Sequence, residues 1–268
     1  MNHNISKRRS VFSALLCTLL ALCLFCSGVS AEASDAIGWY CTRAKDHRQP
    51  RADAVLSSVE KHGGYYIDHT HAEPDADDKV VYLTFDAGYE NGNVKKILDT
   101  LKQENVPGAF FILGHLPEAH PELVRRMADE GHLVCNHTYT HKDMTGKSVG
   151  LLEGELFRLE TACKELCGVE VAKYFRPPEG KFDTAMLEEA QRLGYKTVFW
   201  SFAYADWDNQ KQPDIEAAKK KVLDNIHNGA VILLHPTSAT NAAILPDIIA
   251  SLKAQGYRFG TLHELTKG

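Results

Sequence analysis

From Val80 onward the chain alternates short apolar, β-branched runs with stretches of helical spacing, and nothing else in it restricts the fold as tightly. The runs at 80–85, 109–113, 132–135, 174–175, 197–200, 230–234 and 257–259 read as strands. The stretches at 94–104, 122–130, 149–166, 184–193, 215–227 and 242–255 read as helices, the third ending at Gly168. Strands separated by helices of 10–15 residues are βα units, which pair in parallel. The expectation is an α/β fold, a distorted (β/α) barrel of about seven parallel strands, with an open doubly wound sheet as the alternative. No GxGxxG or phosphate loop accompanies these units, so nothing points to a nucleotide site.

The N-terminal stretch reads differently. Lys7, Arg8 and Arg9 precede an uncharged apolar run from Val11 to Cys26, and Val29-Ser30-Ala31 supplies small residues. That is the pattern of a secretory signal at 1–31, cleaved after Ala31; an uncleaved anchor is the lesser reading. Residues 32–78 are polar, with Gly63-Gly64 and an acidic stretch before Lys79, and read as an irregular leader or cap with one helix near 54–62. Residues 79–268 form the main domain. The implied location is extracytoplasmic, as a secreted monomer with no membrane span after cleavage.

Composition excludes several classes. With 44% hydrophobic and 24% charged residues, the chain is neither disordered nor a polytopic membrane protein. A net charge of −5, with no basic cluster after the signal, argues against nucleic acid as a partner. Of seven cysteines, Cys17, Cys23 and Cys26 fall in the signal. Cys41, Cys135, Cys163 and Cys167 include no CxxC pair, and i,i+4 cysteines in a regular helix are poorly placed for a disulfide. Thirteen histidines are the compositional oddity, because imidazole is both a metal ligand and the neutral-pH acid–base group.

In parallel α/β folds the site lies at the carboxyl ends of the strands. Unusual polar residues recur there: Thr84-Phe85-Asp86-Ala87-Gly88-Tyr89, Asn136-His137-Thr138-Tyr139-Thr140-His141, Arg176-Pro177-Pro178-Glu179-Gly180, Asp206-Trp207, and Leu233-Leu234-His235-Pro236. Each has a bland reading. Two histidines four apart are often just solvated or packed, Asp86 could cap a turn with Gly88, and Arg176 could sit on a rigid surface loop. His235 could be a satisfied core histidine, and Trp207 plain core. Five such endings in register are hard to explain by packing alone. Read together, His137 and His141 suit two neutral imidazoles on one cation, and Asp86 suits a general base beside it. Arg176 can orient a carboxylate, and His235 with Asp206 suits a general acid and its partner.

In this order the endings resemble the polysaccharide deacetylases of carbohydrate esterase family 4, the NodB-homology domain, over roughly 79–265. Within the family the chain looks most like the peptidoglycan N-acetylmuramic acid deacetylases, which lead to the muramic δ-lactam of the spore cortex. The pointers are Asp86-Ala87-Gly88-Tyr89-Glu90-Asn91-Gly92, the Arg176–Gly180 motif, Thr197-Val198-Phe199-Trp200-Ser201 running on to Asp206-Trp207, and the leader motifs Gly38-Trp39-Tyr40 and Asp46-His47-Arg48-Gln49-Pro50. The resemblance implies a hydrolase that removes N-acetyl groups from peptidoglycan glycan strands with a divalent metal, zinc by type. It makes Asp86 the base, His137 and His141 the metal ligands, Arg176 the group that orients Asp86, and His235 the acid tuned by Asp206. Trp207 and Leu233 would wall the acetyl pocket, and Tyr89 and Pro178 would contact substrate.

One departure stands out. Where the family pattern has a second aspartate as third metal ligand, this chain has Ala87. The muramic-acid branch is known for replacing that residue, commonly by asparagine. Alanine leaves two imidazoles, which implies weaker binding and a more positive cation. Two rival expectations follow: a deacetylase of N-acetylglucosamine in peptidoglycan or chitin, and a catalytically silent wall-binding module, for which Ala87 is the sole support.

Overall fold

The computed structural model describes residues 36–267, so the expected signal at 1–31 lies outside the described residues. Its strands are β1 (Ile37–Gly38), β2 (Gly64–Tyr65), β3 (Lys79–Ala87), β4 (Ala109–Ile112), β5 (Leu133–Asn136), β6 (Ala172–Phe175), β7 (Lys181–Phe182), β8 (Lys196–Val198), β9 (Ala230–Leu234) and β10 (Tyr257–Phe259). β1 and β7 form a small antiparallel ribbon. The other eight make one sheet in the order β10-β3-β4-β5-β6-β8-β2, with β9 also paired to β3, and every pairing is parallel.

The seven expected strands are all present and curl into a partly closed barrel. Curling is visible in the hydrogen bonds beyond β8: Ser201 and Phe202 donate backbone N–H to the Val231 carbonyl (3.0 and 3.2 Å), and Leu233 donates to Phe202 (2.9 Å). Those bonds bring the chain after β8 to β9, which an open doubly wound sheet would not do.

Alternation along β3 separates two cores. Val80 and Tyr82 belong to an apolar cluster shared with Phe111, Cys135, Tyr174, Val198 and Val231. Their neighbours Val81, Leu83, Phe85 and Ala87 belong to the cluster under the helices Asn93–Glu104 and Ala239–Ala254. Successive strand side chains point to opposite faces, so Thr84 and Asp86 continue the row of Val80 and Tyr82. Phe85 stacks on Phe110 at 4.8 Å, and truncating so buried a ring to alanine would cost about 3–5 kcal/mol.

The segment expected as an irregular leader is more structured than its composition suggests. It contributes β2 to the main sheet, in register with β8 (Gly64↔Thr197, Tyr65↔Val198). The expected helix near 54–62 is a 3₁₀ turn, Ala54–Leu56, followed by Ser58–Lys61. The Gln49 side-chain amide lies within hydrogen-bond distance of the carbonyls of Asp68 (2.7 Å), His71 (3.2 Å) and Asn228 (3.0 Å), tying this segment to the loop before β9. Trp39 donates its indole N–H to the Trp200 carbonyl at 2.8 Å. Buried backbone groups need partners, and these side chains supply them.

Three boundaries move for local reasons. The helix expected to run to residue 166 is α-helical over Val149–Ala162 and continues as a π turn, Cys163–Cys167, before left-handed Gly168. All four cysteines of the described residues are free thiols. β8 stops at Val198 because the carbonyls of Val198 and Phe199 are taken by the Arg176 side chain. The last long helix starts at Ala239, earlier than expected, because the Ser238 hydroxyl caps it by accepting from Asn241 N–H (3.1 Å). The short helix His115–Ala119 was not expected from the pattern.

Candidate active site

The expected polar residues do gather at one end of the sheet. Asp86 is the penultimate residue of β3, His137 follows β5 directly, Arg176 follows β6, and His235 follows β9. Asp206 and Trp207 lie on the loop beyond β8. The chain delivers them there because each βα loop emerges at the carboxyl end of its strand.

Arg176 is fully buried and each of its nitrogens is used. Nε donates to the Val198 carbonyl (2.9 Å), and Nη2 donates to Thr84 Oγ1 (2.9 Å) and the Phe199 carbonyl (3.0 Å). Nη1 donates to Asp86 Oδ1 at 2.7 Å, and the guanidinium plane lies 4.2 Å from the Phe111 ring centre. A lysine could reproduce one of these contacts but not the fork. Burial alone would raise the pKa of Asp86, but the charge and hydrogen bond of Arg176, together with the charge of His235, outweigh it and hold the carboxyl below its ordinary value.

His137 is buried, and its Nδ1 donates to the Arg176 carbonyl at 2.7 Å. A carbonyl can only accept, so Nδ1 carries the proton and Nε2 keeps its lone pair. Burial depresses the imidazole pKa to about 4, so the ring is neutral near pH 7. Nε2 stands 3.5 Å from Asp86 Oδ2, an acceptor facing an acceptor. Only a proton donor or a cation between them makes that contact favourable. His141 places its ring 4.9 Å from that of His137, and burial lowers its pKa as well. This donor set fits a divalent cation held by two imidazoles. Among the described residues no cluster of three or more His, Cys, Asp or Glu is spaced to hold an ion. Ala87 supplies no donor atom, and its side chain is fully buried in the apolar cluster with Leu83 and Phe85.

His235 is built around Asp206, which is 1% exposed. Asp206 Oδ1 accepts from the His235 ring Nδ1 (2.7 Å) and Oδ2 from its backbone N–H (2.9 Å). Burial works to lower the His235 pKa, but the Asp206 hydrogen bond and charge prevail and raise it. Nε2 is therefore the nitrogen left for a substrate. Asn241 completes this unit: its amide donates to Asp206 Oδ2 (2.5 Å) and to the His235 carbonyl (3.0 Å), and its own carbonyl accepts from the Tyr204 hydroxyl. Sequence reading passed over Asn241. The available signal was an amide in the first turn of an otherwise apolar helix.

The remaining expected residues lie around this network. Trp207 is 62% exposed, with its ring 6.3 Å from that of His235. Leu233 is buried at the end of β9. Tyr89 is 59% exposed and rests on His115 at 5.0 Å, and Pro178 is buried at the start of the 3₁₀ turn Pro178–Gly180. Tyr89 and Pro178 touch neither the Asp86–Arg176–His137 group nor the Asp206–His235 pair through any hydrogen bond, ion pair or ring contact among the described residues.

Comparison with known proteins identifies the family of the chain. The polysaccharide deacetylase family matches residues 73–198. A Bacillus subtilis protein named peptidoglycan-N-acetylmuramic acid deacetylase PdaA is 38% identical over 255 residues, spanning 93% of this chain and 95% of its own. The solved structure of Bacillus subtilis PdaA, a family 4 carbohydrate esterase, superposes with a TM-score of 0.80 at 39% identity, covering 86% of this chain and 97% of that one. A peptidoglycan-N-acetylglucosamine deacetylase of Bacillus cereus is 36% identical over 186 residues, 68% of this chain and 66% of its own. The likeness runs through sequence, length and fold together, and the chain belongs to the polysaccharide deacetylases, carbohydrate esterase family 4.

Proposed function

We propose that the protein hydrolyses N-acetyl groups of peptidoglycan, with N-acetylmuramic acid as the acetylated sugar and the muramic δ-lactam as the destination of the freed amine. The observation that carries this reading is the opposed pair at the strand ends: an aspartate held ionised by Arg176 and a histidine held protonatable by Asp206. Hydrolysis of an amide needs such a pair, one group to take a proton from water and one to give a proton to the leaving nitrogen.

In this reading Asp86 takes a proton from the attacking water as its oxygen bonds to the acetamide carbon. His235 then gives its Nε2 proton to the amide nitrogen, the C–N bond breaks, and acetate and an amine leave. Arg176 keeps Asp86 ionised and aimed, and Asp206 holds the His235 ring. His137 and His141 would hold a divalent cation, zinc by the chemistry of the donor set, which when bound supplies Lewis-acid polarisation of a carbonyl. Trp207 and Leu233 would line the acetyl side, with Tyr89 and Pro178 further out along the glycan. Residues 79–268 carry the catalytic groups, 32–78 are a leader whose Gly64–Tyr65 strand joins the main sheet, and 1–31 act as a cleaved secretory signal, which puts the enzyme on the wall side of the membrane.

The muramic-acid reading is favoured by the near full-length match to the relative bearing that name, against a shorter match to the glucosamine deacetylase. The test is acetate release from glycan strands stripped of stem peptides, with and without chelator, for the wild type and Asp86→Asn. Mass spectrometry then shows which sugar lost its acetyl group. Chelator-sensitive loss from muramic acid, absent in the variant, is expected. Loss from glucosamine would keep the chemistry and discard the substrate. No release with any divalent metal would bring forward the silent wall-binding reading that Ala87 supports.

A further inference from the structure

The segment between His137 and His141 is built in an unfavourable backbone conformation. Thr138 and His141 both have positive φ (69° and 58°), which β-branched and bulky residues rarely adopt. Something outside the segment must hold it. Asn136 Oδ1 accepts from Thr138 N–H (3.0 Å) and Thr138 Oγ1 from His141 N–H (3.0 Å), both within the same stretch of chain. Glu155 reaches in from elsewhere. Buried on the helix Val149–Ala162, its Oε2 accepts from the backbone N–H of Tyr139 (3.0 Å), the backbone N–H of Thr140 (2.7 Å) and the Thr140 hydroxyl (3.0 Å).

We infer that Glu155 is a positioning residue for His141, holding that imidazole where it and His137 share one cation. The inference rests on the reading of both histidines as metal ligands. Two consecutive backbone N–H groups converging on one carboxylate oxygen form an anion cradle, so the charge of Glu155 and the turn stabilise each other. The effect is directed at His141 rather than His137, because His137 is fixed separately through its Nδ1 bond to the Arg176 carbonyl. Tyr139 reinforces the turn from the other side. The Tyr139 backbone carbonyl accepts from Gly114 N–H (3.0 Å), the ring lies where any Cβ on Gly114 would collide, and Arg158 sits 3.7 Å above the ring centre. None of these contacts reaches the N–H groups that Glu155 holds.

The test uses the full chain freed of metal and titrated with cobalt(II), whose visible absorption reports ligand number and geometry. Glu155→Ala is expected to weaken cobalt binding about tenfold or more, the loss typical of groups that orient a ligand from behind, and to alter the spectrum. Glu155→Gln keeps an acceptor oxygen without the charge and is expected to fall between; should the alanine variant fail to fold, Gln alone decides. In a His141→Ala background the Glu155 substitution should leave the remaining affinity unchanged, because there is no second imidazole to position. Wild-type affinity and spectrum in the Glu155 variants, with His141→Ala weakened, overturns the inference and leaves the ligand reading intact. An equal loss in the His141→Ala background overturns it too, showing a general structural role. Unchanged cobalt binding in His141→Ala overturns both.

Discussion

Asp206 holds His235 at two points, one carboxylate oxygen on the ring Nδ1 at 2.7 Å and the other on the residue's own backbone N–H at 2.9 Å. That double grip fixes both tautomer and ring direction, leaving Nε2 as the working nitrogen. Asp206→Asn keeps the shape but removes the charge that offsets burial, so the His235 pKa should fall instead of being raised. A rate drop of at least tenfold is expected, with the basic limb of the pH–rate profile moved toward acid. An unmoved limb would show that Asp206 does not set the acid.

The wild-type profile should be bell-shaped. Asp86 must be ionised, and its depressed pKa means that activity is lost only as pH falls below the ordinary carboxylate value of 3.8. His235 must be protonated, and its raised pKa means that activity persists above the ordinary imidazole value of 6.5 before falling as pH rises. Measuring kcat/KM across both limbs tests the pair. A profile flat through either limb counts against the corresponding role.

Removing the buried cation should cost stability as well as rate. Arg176→Met leaves the Asp86 carboxylate buried without its partner, and a loss of about 3–5 kcal/mol is expected. Adding Asp86→Asn to that variant removes the stranded charge and should restore much of the melting temperature while leaving deacetylation absent. If the double variant melts as low as the single one, the cost came from lost packing against Phe111 rather than from charge.

Ala87→Asp asks what the missing ligand does. The alanine side chain sits in an apolar cluster, so without metal an aspartate there should lower the melting temperature. Zinc should raise that temperature more in the variant than in the wild type, because the carboxylate gains a use. Tighter metal with lower turnover is the expected combination, since an added anion makes the cation a weaker Lewis acid. Tighter metal together with faster turnover would sink the idea that the open site is useful.

The segment before β3 should prove necessary for stability. Gly229 has φ of 76°, and a Cβ there would stand 2.4 Å from the Asp68 carbonyl oxygen. Gly229→Ala is expected to cost at least about 2 kcal/mol, from strain and from pushing the segment off the barrel. Thermal melting checks this, at roughly 2–4 °C per kcal/mol for a chain of this size.

How far the chain's own pattern reaches is clear from particular residues. The strands β3, β4, β9 and β10 are legible because apolar runs bounded by polar punctuation have few ways to be buried. Asp86, His137, Arg176 and His235 are legible because polar groups at the ends of such runs oppose the local pattern. By contrast β2 is two residues long beside a Gly-Gly pair, and its pairing with β8 depends on an edge formed far away in sequence. Left-handed backbone at Thr138 and His141 carries no glycine to announce it, and the side chain that binds the N–H groups between them, Glu155, comes from the following helix. The same holds for the union of Asp86 with Arg176 and of Asp206 with His235. Each partner is a local feature of its own strand end, but the contact, and with it the direction of every pKa shift, exists only once the sheet has curled and water has been excluded from between them.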